Sequence, residues 1–201
     1  MDNPDKGDRM NKRARSYRSI LLVLLAAVLV APATMGLSRR GQRTDGPSGR
    51  LTVHGQVTVN GASASSGATV FSDSTVTTAK GSSAVVSLGK LGRVEVHEES
   101  TMKLSFTDSG IMVSMLEAGR VRVSSSSGTS ATATTNDGEV VATGDKMNEF
   151  TVDTSCGNTF VAVKKGRVEL RAGSTVKQIA AGSQDSAGTA RPGCTPSGDR
   201  H

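Results

Sequence analysis

Aromatic side chains are nearly absent: Tyr17, Phe71, Phe106, Phe150 and Phe160 make up 2% of the 201 residues, and there is no Trp. That is poor material for a large aromatic-lined pocket. Histidine is scarce as well, with His54, His97 and His201 scattered and no C-x-x-C, H-x-x-x-H or H-E-x-x-H spacing, so no metal-ligand set is in view. G-x-S-x-G and G-x-x-x-x-G-K-[ST] are missing too. The glycines separate short apolar runs instead of opening a helix, which removes the helix N-terminus that a phosphate cradle needs. Glu98 and Glu99 are neighbours on the chain and read as a solvated turn. Asp108-Ser109-Gly110 and Asn136-Asp137-Gly138 read as hairpin turns, not cation loops. The expectation is a protein without catalytic residues, metal, cofactor or small-molecule substrate.

A net charge of +6 invites a nucleic-acid reading, but the excess is local. Residues 1–50 hold ten Lys and Arg against four acids, while residues 51–201 hold fourteen of each. The surplus flanks an apolar stretch, where positive charge sets membrane orientation, so nucleic acid is not an expected partner.

That stretch, residues 20–37, has eighteen residues and no charge. As a helix it would be about 27 Å long, enough for a thin bilayer core. Six Lys and Arg precede it, which predicts a cytoplasmic N-terminus and an exported remainder. A single-pass inner-membrane anchor is the reading adopted. The alternative is a signal peptide, cleaved near Ala33 after the A-x-A pattern of residues 31–33 and releasing a periplasmic protein. The resulting division is a basic N-terminus (1–19), a membrane segment (20–37), a linker (38–50), a β domain (51–184) and a Gly/Pro tail (185–201).

Export implies an oxidising compartment, so the only two cysteines, Cys156 and Cys194, form a candidate disulfide that would pin the tail to the domain.

From Leu51 onward apolar residues recur at every second position, as in Val57-Val59, Val94-Val96, Val121-Val123, Val161-Val163 and Val168-Leu170. Period two with β-branched residues and frequent glycines predicts an all-β fold of short strands, with no helix beyond the membrane segment. A Gly-Arg-Val echo at Gly92, Gly119 and Gly166, with a looser copy at Gly55, points to an irregular β-solenoid or β-roll. Residues 124–135 (SSSSGTSATATT) read as a loop. The four Phe are expected to fill a thin core. The echo arginines Arg93, Arg120 and Arg167 are candidate partner-binding residues on one face.

Taken in order, several motifs resemble the FecR domain of bacterial envelope regulators. They are Gly67-Ala68-Thr69-Val70, Gly81-Ser82-Ser83-Ala84-Val85-Val86, Gly92-Arg93-Val94-Glu95-Val96, Gly119-Arg120-Val121-Arg122-Val123, Gly166-Arg167-Val168-Glu169-Leu170 and the closing Ile179-Ala180-Ala181-Gly182. The resemblance covers roughly residues 55–184. It implies a periplasmic signalling or protein-interaction module whose partner is another envelope protein. Only nineteen residues precede the apolar stretch, too few for a core, so the expected module is one without the N-terminal anti-sigma domain. The competing expectation is a structural protein of the envelope that binds cell-wall or other polysaccharide.

Overall fold

The computed structural model describes residues 47–195. The basic N-terminus, the expected membrane segment and His201 lie outside the described residues. Among the described residues no helix is long and apolar enough to cross a membrane.

In chain order the strands are β1 (Ser48–His54), β2 (Val57–Val59), β3 (Ala62–Ser63), β4 (Thr69–Phe71), β5 (Ser74–Thr78), β6 (Ser83–Ser87), β7 (Gly92–Val96), β8 (Ser100–Phe106) and β9 (Gly110–Met115). They continue as β10 (Arg120–Ser125), β11 (Ser130–Thr134), β12 (Glu139–Ala142), β13 (Asn148–Asp153), β14 (Thr159–Lys165), β15 (Arg167–Ala172), β16 (Thr175–Ala180) and β17 (Gln184–Ala187). A single 3-10 turn, Gly89–Leu91, precedes β7. The fold is all-β.

The strands form two sheets. The first, of eight strands, runs β17-β14-β13-β10-β7-β6-β1-β4, and the second, of nine, runs β16-β15-β12-β11-β9-β8-β5-β2-β3. Each alternating strand turns one row of side chains inward. In β8, Met102, Leu104 and Phe106 are buried while Thr101, Lys103 and Ser105 face outward. In β10, Val121 and Val123 do the same opposite Arg120 and Arg122. The inward rows of both sheets join one apolar core, with Val as its commonest residue. Each such side chain contributes roughly 1.5–3 kcal/mol by leaving water. A stacked solenoid is not shown: its coils would pair in parallel, whereas only β9–β11 is parallel and the other described ladders are antiparallel.

The Gly-X-Val echo has a structural meaning. Gly55, Gly119 and Gly166 each stand where the chain passes from one sheet to the other, between β1 and β2, β9 and β10, and β14 and β15. At each the backbone has a positive φ, and a buried polar side chain occupies the space a Cβ would need: Ser82, Ser100 and Asn148 respectively. That same side chain accepts the amide of the residue after the glycine. The bonds are Gln56 N–H to Ser82 Oγ at 2.9 Å, Arg120 N–H to Ser100 Oγ at 2.9 Å and Arg167 N–H to Asn148 Oδ1 at 3.1 Å. Gly92, which joins two strands of the same sheet, meets the Ser124 carbonyl instead. The device satisfies a backbone donor that leaves one ladder before entering the next.

Three expectations need correction. Residues 124–135 are not a loop: β10 extends to Ser125, and β11 is an interior strand between β9 and β12. Its inward residues are Ala131 and Ala133, both at 0% exposure, and its outward ones Ser and Thr, a period-two pattern too small in side-chain size to register as apolar. Only two of the four Phe are core. Phe106 and Phe150 are buried, but Phe71 is 48% exposed beside inward Val70, and Phe160 alternates with inward Val161 and lies on the outer face. The strands also extend beyond residues 51–184 at both ends, from Ser48 to Ala187.

Candidate functional site

The outer face of the eight-stranded sheet is a lattice of paired charges. Register places Glu95 of β7 opposite Arg122 of β10, and Arg120 opposite Asp153 of β13. Glu95 takes Arg93 Nε at 3.0 Å and Arg122 Nη1 at 3.5 Å. Farther along, Glu149 is approached by Lys164 and Lys165 at 3.7 and 3.6 Å. All six residues of β13 are buried, so even its outward side chains Glu149, Thr151 and Asp153 are covered by neighbouring strands. This face is knitted together across strands.

Two cavities lie side by side at one end of the sandwich, sharing Ala118. The first, about 280 Å³, is lined by Met115, Glu117, Asn136, Asp137, Thr154 and Arg191, and the second, about 390 Å³, by His97, Glu98, Glu99, Arg120, Asp153 and Ser155. Arg191 reaches the first from the C-terminal tail. The disulfide Cys156–Cys194, with a Cα–Cα distance of 5.6 Å, holds that tail against the β13–β14 turn. Arg191 N–H donates to the Cys156 carbonyl at 2.9 Å, and its guanidinium donates to the Ser155 carbonyl. Gly188 passes so close to the Asp137 carboxylate that a Cβ there would collide with it, and Asp137 in turn accepts from the buried Thr159 hydroxyl at 3.2 Å.

The sandwich has an open margin where its last strands meet. Here β16 ends the nine-stranded sheet and β17 ends the eight-stranded one. Lys177 of β16 spans the gap, with Nζ 2.8 Å from Asp185 Oδ1 and 3.1 Å from the Ser186 carbonyl. The Lys177 ammonium, aided by the Ser186 amide, holds the Asp185 carboxyl below the usual carboxylate range. On β15, the Glu169 carboxylate raises Arg171 further by accepting from it at 2.7 Å. A cavity of about 230 Å³ opens between the two margins, walled by Leu170, Ala172, Thr175, Lys177, Ser186 and Ala187.

The structure separates the three candidate arginines. Arg93 and Arg120 share the outer face of the eight-stranded sheet, within the ion-pair lattice, but Arg167 lies on β15 of the other sheet. They do not form one row, because Gly119 carries the chain from the nine-stranded to the eight-stranded sheet whereas Gly166 carries it the opposite way. Arg167 is exposed and has no ion-pair partner among the described residues; with Asp145 and Lys146 it lines a separate cavity of about 420 Å³. Cys156 and Cys194 are brought together. Sequence reasoning missed the β16 margin. The signal available was Val176, which is out of phase with Ile179 in a six-residue strand and is 58% exposed.

No family model matches the chain, and no curated protein matches it. Among solved structures, it is similar to two crystal structures of a protein provisionally assigned as an anti-sigma factor, from Parabacteroides distasonis. Both are 20% identical to this chain with a TM-score of 0.47, and the match covers 55% of this chain and 52% of theirs. The match thus spans about half the length of that protein.

Proposed function

We propose that this protein is a non-catalytic, FecR-like protein-interaction or signalling module of the bacterial envelope, held at the inner membrane by residues 20–37. The observation that carries the reading is the disulfide between Cys156 and Cys194, which fits an oxidising compartment outside the cytoplasm and so the export that the apolar segment and its basic flank predict. The form of the domain agrees with it. Ionisable side chains are used in pairs between strands such as Glu95–Arg122 and Lys177–Asp185, and the fold ends in open sheet margins of the kind that recruit other chains.

The test is cross-linking in intact cells, followed by mass spectrometry of the membrane-purified full chain. A specific envelope-protein partner, together with an uncleaved N-terminus, supports the reading; no specific partner overturns it.

A second reading, polysaccharide binding, is favoured by the outer face of the nine-stranded sheet, where Thr58, Thr77 and Thr101 stand in one cross-strand row of hydroxyls. Co-sedimentation with purified cell-wall sacculi separates the two.

A further inference from the structure

Of the four strands that end the two sheets, three are short: β3 has two residues, β4 three and β17 four. Short edges resist pairing with foreign strands. β16 has six residues, no proline and no bulge in its ladder to β15. Its single charge, Lys177, is engaged by Asp185 and so does not guard the edge.

The register shows which backbone groups are open. Ala181 N–H donates to the Gly166 carbonyl. In an antiparallel ladder bonded pairs alternate. Ile179, Lys177 and Thr175 therefore make the bonds to β15, and Val176 and Gln178 direct their amides and carbonyls to the side where no described strand lies. A strand laid there would turn alternate side chains outward, beside Val176 and Gln178, and inward, over the 230 Å³ cavity that Leu170, Ala172 and Ala187 wall. On the outer side, Arg171 and Arg167 stand opposite Val176 and Ala180 in the neighbouring ladder, and Arg167 lacks a carboxylate partner among the described residues.

We infer that β16 is the docking edge of this module and takes an extended, acidic peptide segment of a partner protein as an added strand, with acidic side chains outward toward Arg167 and small apolar side chains inward into the marginal cavity. This rests on the interaction-module reading and names its site. A second copy of this chain is the poorer occupant. The inward residues its β16 would bring are already committed: Lys177 to Asp185, and Ile179 at 2% exposure to its own core. It would have only Thr175 to offer the cavity. One six-residue strand pair alone also falls short of the roughly 1,000 Å² that a stable dimer buries.

The test uses the full chain in mild detergent with a fluorescein-labelled Glu-Val-Glu-Val-Glu-Val peptide, read by anisotropy and by amide hydrogen exchange. The expected result is saturable binding with slowed exchange at Val176 and Gln178. Val176→Pro, which removes an outward amide at an edge where proline is tolerated, should abolish binding. Arg167→Glu, an exposed change that leaves the ladder intact, should weaken it by about tenfold. The charge-reversed Lys-Val-Lys-Val-Lys-Val peptide should bind no better than the Arg167→Glu variant binds the acidic one. Absence of binding by the acidic peptide, binding unaffected by both substitutions, or protection of Val176 and Gln178 that grows with protein concentration alone would overturn the assignment. The last outcome would name a second copy as the occupant. In cells, partner cross-linking that persists in Val176→Pro overturns the β16 site while leaving the module reading intact, whereas no cross-linking in the unaltered chain overturns the module reading itself.

Discussion

The Asn148 carboxamide occupies the space that a side chain at Gly166 would fill, and its Oδ1 accepts the amide of Arg167, the next residue, at 3.1 Å. Its Nδ2 donates to the Thr143 and Lys146 carbonyls at 2.9 and 2.8 Å, so one buried side chain ties the β12–β13 passage between sheets to the β14–β15 passage.

Gly166→Ala should therefore be costly twice over, once for its φ of +79° and once for displacing Asn148. The expected loss is about 2–4 kcal/mol. Gly173→Ala, with a φ of +55° but open space around it, should lose only about 1 kcal/mol. Urea denaturation of the two variants checks the difference, and equal losses would remove the crowding argument.

Ser100→Ala leaves the Arg120 amide, which now donates to Ser100 Oγ, without its acceptor at a site where Ser100 is 1% exposed. A loss of about 1–3 kcal/mol is expected, read from the shift in the urea midpoint at unchanged slope.

The disulfide closes a loop with a sequence separation of 38 residues. Replacing both cysteines by Ala should cost about 3–4 kcal/mol on the chain-entropy account. It should also speed amide exchange at Arg191 and Cys194, whose amides donate within the tied tail. Exchange as slow as in the oxidised protein would show that the tail holds without the bridge.

The Lys177–Asp185 pair gives the margin a pH dependence of known sign. The Asp185 carboxyl is lowered in the folded state by the Lys177 and Ser186 donors. Its stabilisation is thus fully present above the unfolded carboxylate value of about 3.9 and is lost as the pH falls through the lower folded value. In Lys177→Met, the carboxyl resonance of Asp185 followed by NMR should titrate at a higher pH than in the unaltered chain. An unchanged midpoint would leave the Ser186 amide as the whole cause.

The two kinds of Phe should separate cleanly. Phe150→Ala, at 0% exposure, is expected to cost about 3–5 kcal/mol. Phe71→Ser, at 48% exposure, should cost less than about 1 kcal/mol by thermal melting.

These contrasts show what the chain reveals unaided. Strands with Val at alternate positions, such as β7, β10 and β14, are plain because the large and small members of the alternation differ in size. β11 is hidden because Ala131 and Ala133 carry its inward face, and Ala is common in loops too. The all-β class was legible for the same reason; the two-sheet arrangement was not, since the same Gly-X-Val pattern stands at crossings in either direction, Gly119 and Gly166, and at Gly92 within one sheet. The opposite directions of the crossings at Gly119 and Gly166 place Arg167 on the other sheet from Arg120 despite their shared motif. The β16 edge was the least legible part, because an open edge is defined by a neighbouring strand that is missing, and local pattern does not record it.

Both sheets are laid down almost in the order of the chain, and within the described ladders no pairing reaches farther along the sequence than Arg50 with Ser87. Each new hairpin thus meets a template formed shortly before it. A domain so arranged needs few long loop closures, which favours rapid folding for an all-β protein and suits assembly in step with the chain's emergence, with Cys194 joining Cys156 as the closing event.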